Sequence, residues 1–268
     1  MAEILSGAIG TGISRRARGV IDERSAVRMR HYSAEQGTID RMGSSVESIA
    51  SRAGGTGARV PLTPAGIQPD VTDKRLLRGA RTRGTVLRRA VDIASLEGLD
   101  GVSFGRLAVD TGLSKAGIQT LFKTKETLQL ATVEFAREMF IDAVIRPARA
   151  APAGIARLRA LLDHWVVYAE TPLFAGGCFR VANLAEFDSR PGPVHDALFH
   201  DQREWREVIA TELRKAVASG EVVGLDIDLT VFQIDALLCA ANTALQSGDT
   251  EAVGKARRII DGLLATSR

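Results

Sequence analysis

The sequence predicts an all-α protein: a small three-helix head followed by a larger helical bundle. Three observations carry that expectation. Apolar residues recur at three- and four-residue spacing through most of the chain, whereas β-branched alternation is confined to short runs. Apolar content is 45% but aromatic content only 5%, so the core must be largely aliphatic. The run SFGRLAVDTGLSKAGIQTLF, Ser103 to Phe122, reads as two short helices around a tight turn.

A first helix is expected from about Arg78 to Leu96, with Val86, Ala90, Ile93 and Ala94 as its apolar stripe. The run Glu97-Gly98-Leu99-Asp100-Gly101 turns the chain. Ser103 is placed to cap a second helix ending near Thr111, with Phe104, Leu107 and Ala108 on one face. Gly112 stands where a helix end wants a residue that tolerates positive φ, and Leu113 plugs the gap between the helices. Ser114 caps a third helix that buries Ile118, Leu121 and Phe122. The opposite side of that helix shows Lys115, Ala116, Gly117, Gln119 and Thr120, a small, polar and basic face suited to close approach to base-pair edges. The same pattern also fits a plain αα-hairpin.

Thr124 should cap a long fourth helix carrying Leu128, Ala131, Phe135, Met139 and Val144, stopped at Arg146-Pro147. Amphipathic helices are then expected from Pro152 to Ala169, from Phe174 to Phe187, from Pro193 to Ala218, from Asp228 to Gln246 and from Glu251 to Ala265. Breakers separate them: Thr171-Pro172, Asp188 to Pro193 and the loop Gly220 to Asp228.

Charge is unevenly distributed. The net charge is +3, yet residues 131–268 hold 15 Lys+Arg against 19 Asp+Glu, while residues 76–130 hold 9 against 5. Three of the six lysines, Lys115, Lys123 and Lys125, lie in or just after the third helix, and Arg78, Arg81, Arg83, Arg88 and Arg89 lie upstream. A polyanion partner is the simplest reading, a solvated basic surface the plainer one. Residues 1–75 mix Gly, Ser, Arg and Pro with few large apolar residues and read as a disordered basic extension. It could touch a DNA backbone, or translation could start downstream, at Met42. Two cysteines make no disulfide framework, no run of 18 or more apolar residues suggests a membrane span, and no secretory signal is evident, so a cytoplasmic location is expected.

The run Val102-Ser103-Phe104, then Leu107-Ala108, Thr111-Gly112-Leu113-Ser114-Lys115, Ile118, Phe122 and Lys125-Glu126 resembles the TetR family of bacterial transcriptional repressors over residues 80–140. The likeness implies a DNA-binding domain over 76–130, with its motif at 103–122, and an effector-binding and dimerisation domain over 131–268. Gln119 departs from the aromatic usual in the family and could pair with adenine N6 and N7. The DNA-facing set is Ser103, Ser114, Lys115, Ala116, Gly117, Gln119, Thr120, Lys123 and Lys125, with Lys125 on a flanking phosphate. The implied partners are a palindromic operator in double-stranded DNA, a second copy of the chain, and a small apolar or aromatic effector. The last two helices would form the dimer face through Ala236, Ala240, Ala244, Ile259, Ile260, Leu263 and Leu264. Candidate effector-lining residues are Phe135, Met139, Trp165, Tyr168, Phe174, Cys178, Phe179 and Asn183, each of which could equally be plain core.

No cofactor or metal is expected. His195, His200, Asp201 and Glu204 are a poor metal set, and Cys178 reads as an inert thiol before a redox sensor. No nucleophile–base pair, phosphate loop, dinucleotide fingerprint or zinc-protease motif appears, which argues against an enzyme. The alternatives are an architectural DNA-binding protein without an effector, a helical small-molecule-binding protein, or an enzyme.

Overall fold

The computed structural model describes residues 71–265; the expected basic extension lies almost wholly outside them. Among the described residues the chain is all-α. Helix α1 runs Val71–Glu97 and begins seven residues before the expected start at Arg78. After a 3₁₀ turn, Leu99–Gly101, come α2, Phe104–Thr111, and α3, Lys115–Phe122. Helix α4, Lys125–Phe140, continues through a widened π turn, Ile141–Ile145, into Arg146–Ala148. The remaining helices are α5 Ile155–Glu170, α6 Phe179–Phe187, α7 Pro193–Ala218, α8 Ile227–Gln246 and α9 Ala252–Ala265.

The caps explain most boundaries. The Ser103, Ser114 and Thr124 hydroxyls accept the backbone N–H of Arg106, Gly117 and Thr127. Gly112 ends α2 at φ 70°. Beyond the early start of α1, several boundaries differ from the sequence reading. Helix α4 passes through Pro147 instead of stopping there. Proline cannot donate to the preceding turn and its ring crowds that turn's carbonyl, and the π turn immediately upstream provides the extra room. Helix α5 starts at Ile155 because Gly154 lies at φ 93°. Helix α6 starts at Phe179, not Phe174, because Gly177 lies at φ 88°. Helix α8 is capped by Asp226, whose carboxylate accepts the Leu229 N–H at 3.0 Å, so its start moves to Ile227.

Helix α1 packs on α4 and α6, α4 on α7, and α8 on α9 and α7. One apolar cluster runs from Val86, Ala90 and Ile93 of α1 through Leu107, Ile118 and Phe122 into the body at Phe140, Leu158, Phe174, Trp205 and Ile234. Among the described residues α8 alone is long and apolar enough to cross a membrane, by length and composition. In this fold it packs on α7 and α9 and buries Asp235, which pairs with Arg206 at 2.7 Å.

Candidate nucleic-acid interface

The surface of the head is set by α3. Ile118 and Phe122 are fully buried, which turns Lys115, Ala116, Gly117, Gln119 and Thr120 outward, all exposed. The first turn is closed by the Ser114 hydroxyl, which accepts the Gly117 N–H at 3.1 Å. Thr120 donates its hydroxyl to the Ala116 carbonyl at 2.8 Å, so its methyl and lone pairs remain for a partner. With no side chain beyond Cβ at Ala116 or Gly117, backbone can come close to a groove.

The chain leaves α3 through a tight reversal. Lys123 has φ 62° and ψ −62°, and the Thr124 N–H donates across it to the Phe122 carbonyl at 2.7 Å, which makes a γ-turn. Lys123 is the only non-glycine residue at positive φ among those described. Its side chain is exposed, like that of Lys115, and no described residue pairs with either.

Of the upstream arginines, Arg78 and Arg81 are exposed, as a basic cluster requires, while Arg83, Arg88 and Arg89 are engaged by neighbours. Arg83 lies over the Phe122 ring at 4.5 Å and donates to the Leu121 carbonyl. Arg88 donates to the Leu173 carbonyl at 3.2 Å, and Arg89 pairs with Asp110 at 2.8 Å. Arg106 is bound to Glu97, whose carboxyl it holds below the usual range. Ring, carbonyl and carboxylate partners engage these four cations, with Arg89 and Arg106 still partly open to solvent. Lys125 is also engaged: its ammonium donates to the Asp100 carbonyl at 3.0 Å, although the side chain stays half-exposed. Ser103 is exposed and occupied as a cap.

The body's expected lining residues fall into two groups. Tyr168, Phe174 and Phe179 form a chain of edge-on rings that also includes Phe140 and Trp205, two residues absent from the expected lining set. Within that cluster Arg180 is buried, pairs with Asp201 at 2.8 Å and stacks 4.8 Å from the Phe140 ring. Burial pushes the Tyr168 hydroxyl well above its ordinary pKa. Cys178 is buried beside it, and Phe135 and Met139 are half-buried on α4. Asn183 is fully buried and donates to the Ala94 and Phe179 carbonyls at 3.2 and 2.8 Å, while its side-chain oxygen has no partner. Trp165 faces elsewhere: with Leu162, Leu238, Val253 and Ile260 it lines a cleft of about 70 Å³ between α5, α8 and α9, rimmed by Arg159, Asp163 and Arg257. The suspected metal ligands are dispersed, with Asp201 on Arg180 and His200 3.4 Å from Glu204.

On α8, Leu229, Phe232, Ala236 and Ala240 form an exposed stripe, continued on α9 by Ile259 and half-buried Leu263. Two residues expected on this face, Ile260 and Leu264, point inward and are buried, because α9 spends that side on its own body.

Residues 154–260 match the family model described as tetracyclin repressor-like, C-terminal domain. A comparison with curated proteins gives no significant match. Solved structures match over most of their length. A TetR transcriptional regulator from Chloroflexus aurantiacus is 26% identical with TM-score 0.63, covering 70% of this chain and 95% of that one. A putative transcriptional regulator from Saccharomonospora viridis, in complex with choline, is 16% identical with TM-score 0.61, covering 69% and 96%. AibR, in complex with isovaleryl coenzyme A and operator DNA, is 16% identical with TM-score 0.54, covering 70% and 97%. A capped helix-turn-helix with a bare recognition face, set on a body that matches the tetracyclin repressor-like C-terminal domain, gives this chain the fold of the TetR-type transcriptional regulators it resembles.

Proposed function

We propose that the chain is a ligand-responsive repressor that binds a palindromic operator as a two-fold dimer. The observation that carries this reading is the outward face of α3, where five consecutive non-core positions are exposed while Ile118 and Phe122 are fully buried. Lys115 and the Ser114 hydroxyl lie at the helix start, where they would meet phosphate. Gln119 and Thr120 lie further along and would read bases, Gln119 by two hydrogen bonds to adenine. Lys123, Lys125 and Ser103 would flank them on the backbone.

A single head covers little DNA, so two heads on one dimer are needed for operator affinity. The α8–α9 stripe offers the dimer face. The body would admit a small, largely apolar or aromatic effector among Phe135, Met139, Tyr168, Phe174, Cys178, Phe179 and Asn183, with Trp165 at the neighbouring cleft. The unpaired Asn183 oxygen favours an effector that brings a hydrogen-bond donor. The regulators crystallised with choline and with isovaleryl coenzyme A and operator DNA support a body that takes ligands and a head that takes DNA. Such a role places the protein in the cytoplasm.

The test is selection of duplexes from a random library, followed by titration of two variants. Lys115→Ala should weaken binding to every sequence and lower the salt slope by about 1. Gln119→Ala should change sequence preference with little change in that slope. Equal effects of the two variants on matched and scrambled duplexes overturn the assignment. The architectural alternative predicts that no compound raises the melting midpoint in a ligand screen.

A further inference from the structure

The link between head and body is chemically specific. The Glu186 carboxylate, on α6 of the body, accepts two backbone N–H groups of the 3₁₀ turn that feeds α2: Leu99 at 2.8 Å and Asp100 at 2.9 Å. A turn of this length leaves its leading N–H groups without internal partners, and here a charged acceptor takes both. Gly98 lies at φ 79°, and a Cβ there would overlap the Glu186 carboxylate, so the turn is shaped to admit it. Asp100 is then held from two further sides: Arg190, one helical turn beyond Glu186, reaches its carboxylate at 2.5 Å, and Lys125 of α4 reaches its carbonyl at 3.0 Å. Just upstream, Asn183 of α6 donates to the Ala94 carbonyl, and the Gly176 N–H donates to the Ser95 hydroxyl at 2.9 Å.

We propose that Glu186 is a positioning residue for DNA binding: by holding both N–H groups of the Leu99–Gly101 turn, it fixes the angle of the α2–α3 unit on the body and so the spacing of the two recognition helices. The proposal rests on the dimeric operator reading above. It assigns a job that the apolar contacts cannot do. Packing of α1 on α6 is non-directional and tolerates small rotations, whereas two convergent hydrogen bonds to one rigid carboxylate do not. Helix α6 also begins at Cys178 and Phe179, among the expected effector-lining residues, so displacement of α6 would be delivered to the turn through Glu186.

The experiment uses the full chain and the duplex selected above, with three probes: the full site, a single half-site, and the full site with one base pair inserted between its halves. Wild type should discriminate against the inserted site. Glu186→Ala should lose about tenfold of that discrimination, keep half-site affinity within about twofold, and speed hydrogen exchange at the Leu99 and Asp100 amides. Glu186→Gln keeps the shape and one acceptor, and should fall between; it serves as the readout should the alanine variant not fold. Unchanged discrimination in either folded variant overturns the proposal. A parallel loss on half-site and full site, together with a lower melting midpoint, also overturns it, since that is what a merely structural cap would give. If wild type selects no duplex, the operator reading itself fails and takes this one with it; if wild type selects a duplex but has no spacing preference, only the positioning role fails.

Discussion

At the scale of single residues, the two thiols and one glycine make opposite demands on their surroundings. Burial, and after it the charge of Asp235, pushes the Cys239 thiol up to about 11, and Cys178 is buried beside Tyr168. Alkylation by iodoacetamide at pH 8 should therefore be roughly two orders of magnitude slower than for free cysteine. Mass spectrometry of the native protein after timed quenching checks this, and fast labelling of Cys178 would revive the sensor reading. Gly176 has no spare room: a Cβ would overlap the Ser95 carbonyl, a backbone atom that cannot swing aside. Gly176→Ala should cost about 2–3 kcal/mol of stability by denaturant titration, by prising the 173–177 loop from α1. From sequence, Gly176 and Gly177 look like interchangeable small residues inside a helix. Their separate roles, close approach at one and positive φ at the other, depend on what packs opposite them, which no local pattern encodes.

Among the helices, the expected ones were found wherever a cap and an apolar stripe agreed, as at Ser103, Ser114 and Thr124. The outward face of α3 was legible for the same reason, since burying Ile118 and Phe122 leaves one arrangement of the rest. The pairings of Arg83, Arg88, Arg89 and Arg106 were not legible, because their partners lie on the far side of turns or on other helices. The exposed apolar stripe proposed as a dimer face was legible only in part. Periodicity marks α9 as apolar on two sides without saying which side the body takes, so Ile260 was expected outside and is buried. Phe232 is 62% exposed in the middle of the α8 stripe. Phe232→Glu should give monomers by sedimentation velocity and reduce full-site affinity by at least about 100-fold, since the second head is no longer tethered. Persistence of the dimer would move the interface elsewhere.

For the molecule as a whole, acid should be the weak side. Arg106 holds the Glu97 carboxyl low, and Arg190 does the same for Asp100. At Glu212 burial raises the pKa, but hydrogen bonds from Lys215 and the Gly154 N–H outweigh it. Each folded-state value lies below the unfolded one, so the stabilisation is complete above the ordinary carboxylate range and is lost as pH falls through the folded values. Denaturant midpoints should be flat between about pH 6 and 8 and drop below about pH 4.5, and Glu212→Gln should flatten part of that drop. A fall on the alkaline side of neutrality instead would point to a different set of groups.

The rings around Arg180 carry a consequence for time rather than energy. Phe140, Tyr168, Phe174, Phe179 and Trp205 are each at least nine-tenths covered, and the guanidinium already lies over two of them. A guest coming into this interior cannot simply arrive by diffusion; it has to wait until several large side chains swing away together. Its entry would then run at a rate set by the protein's own breathing, slow at any guest concentration and faster on warming.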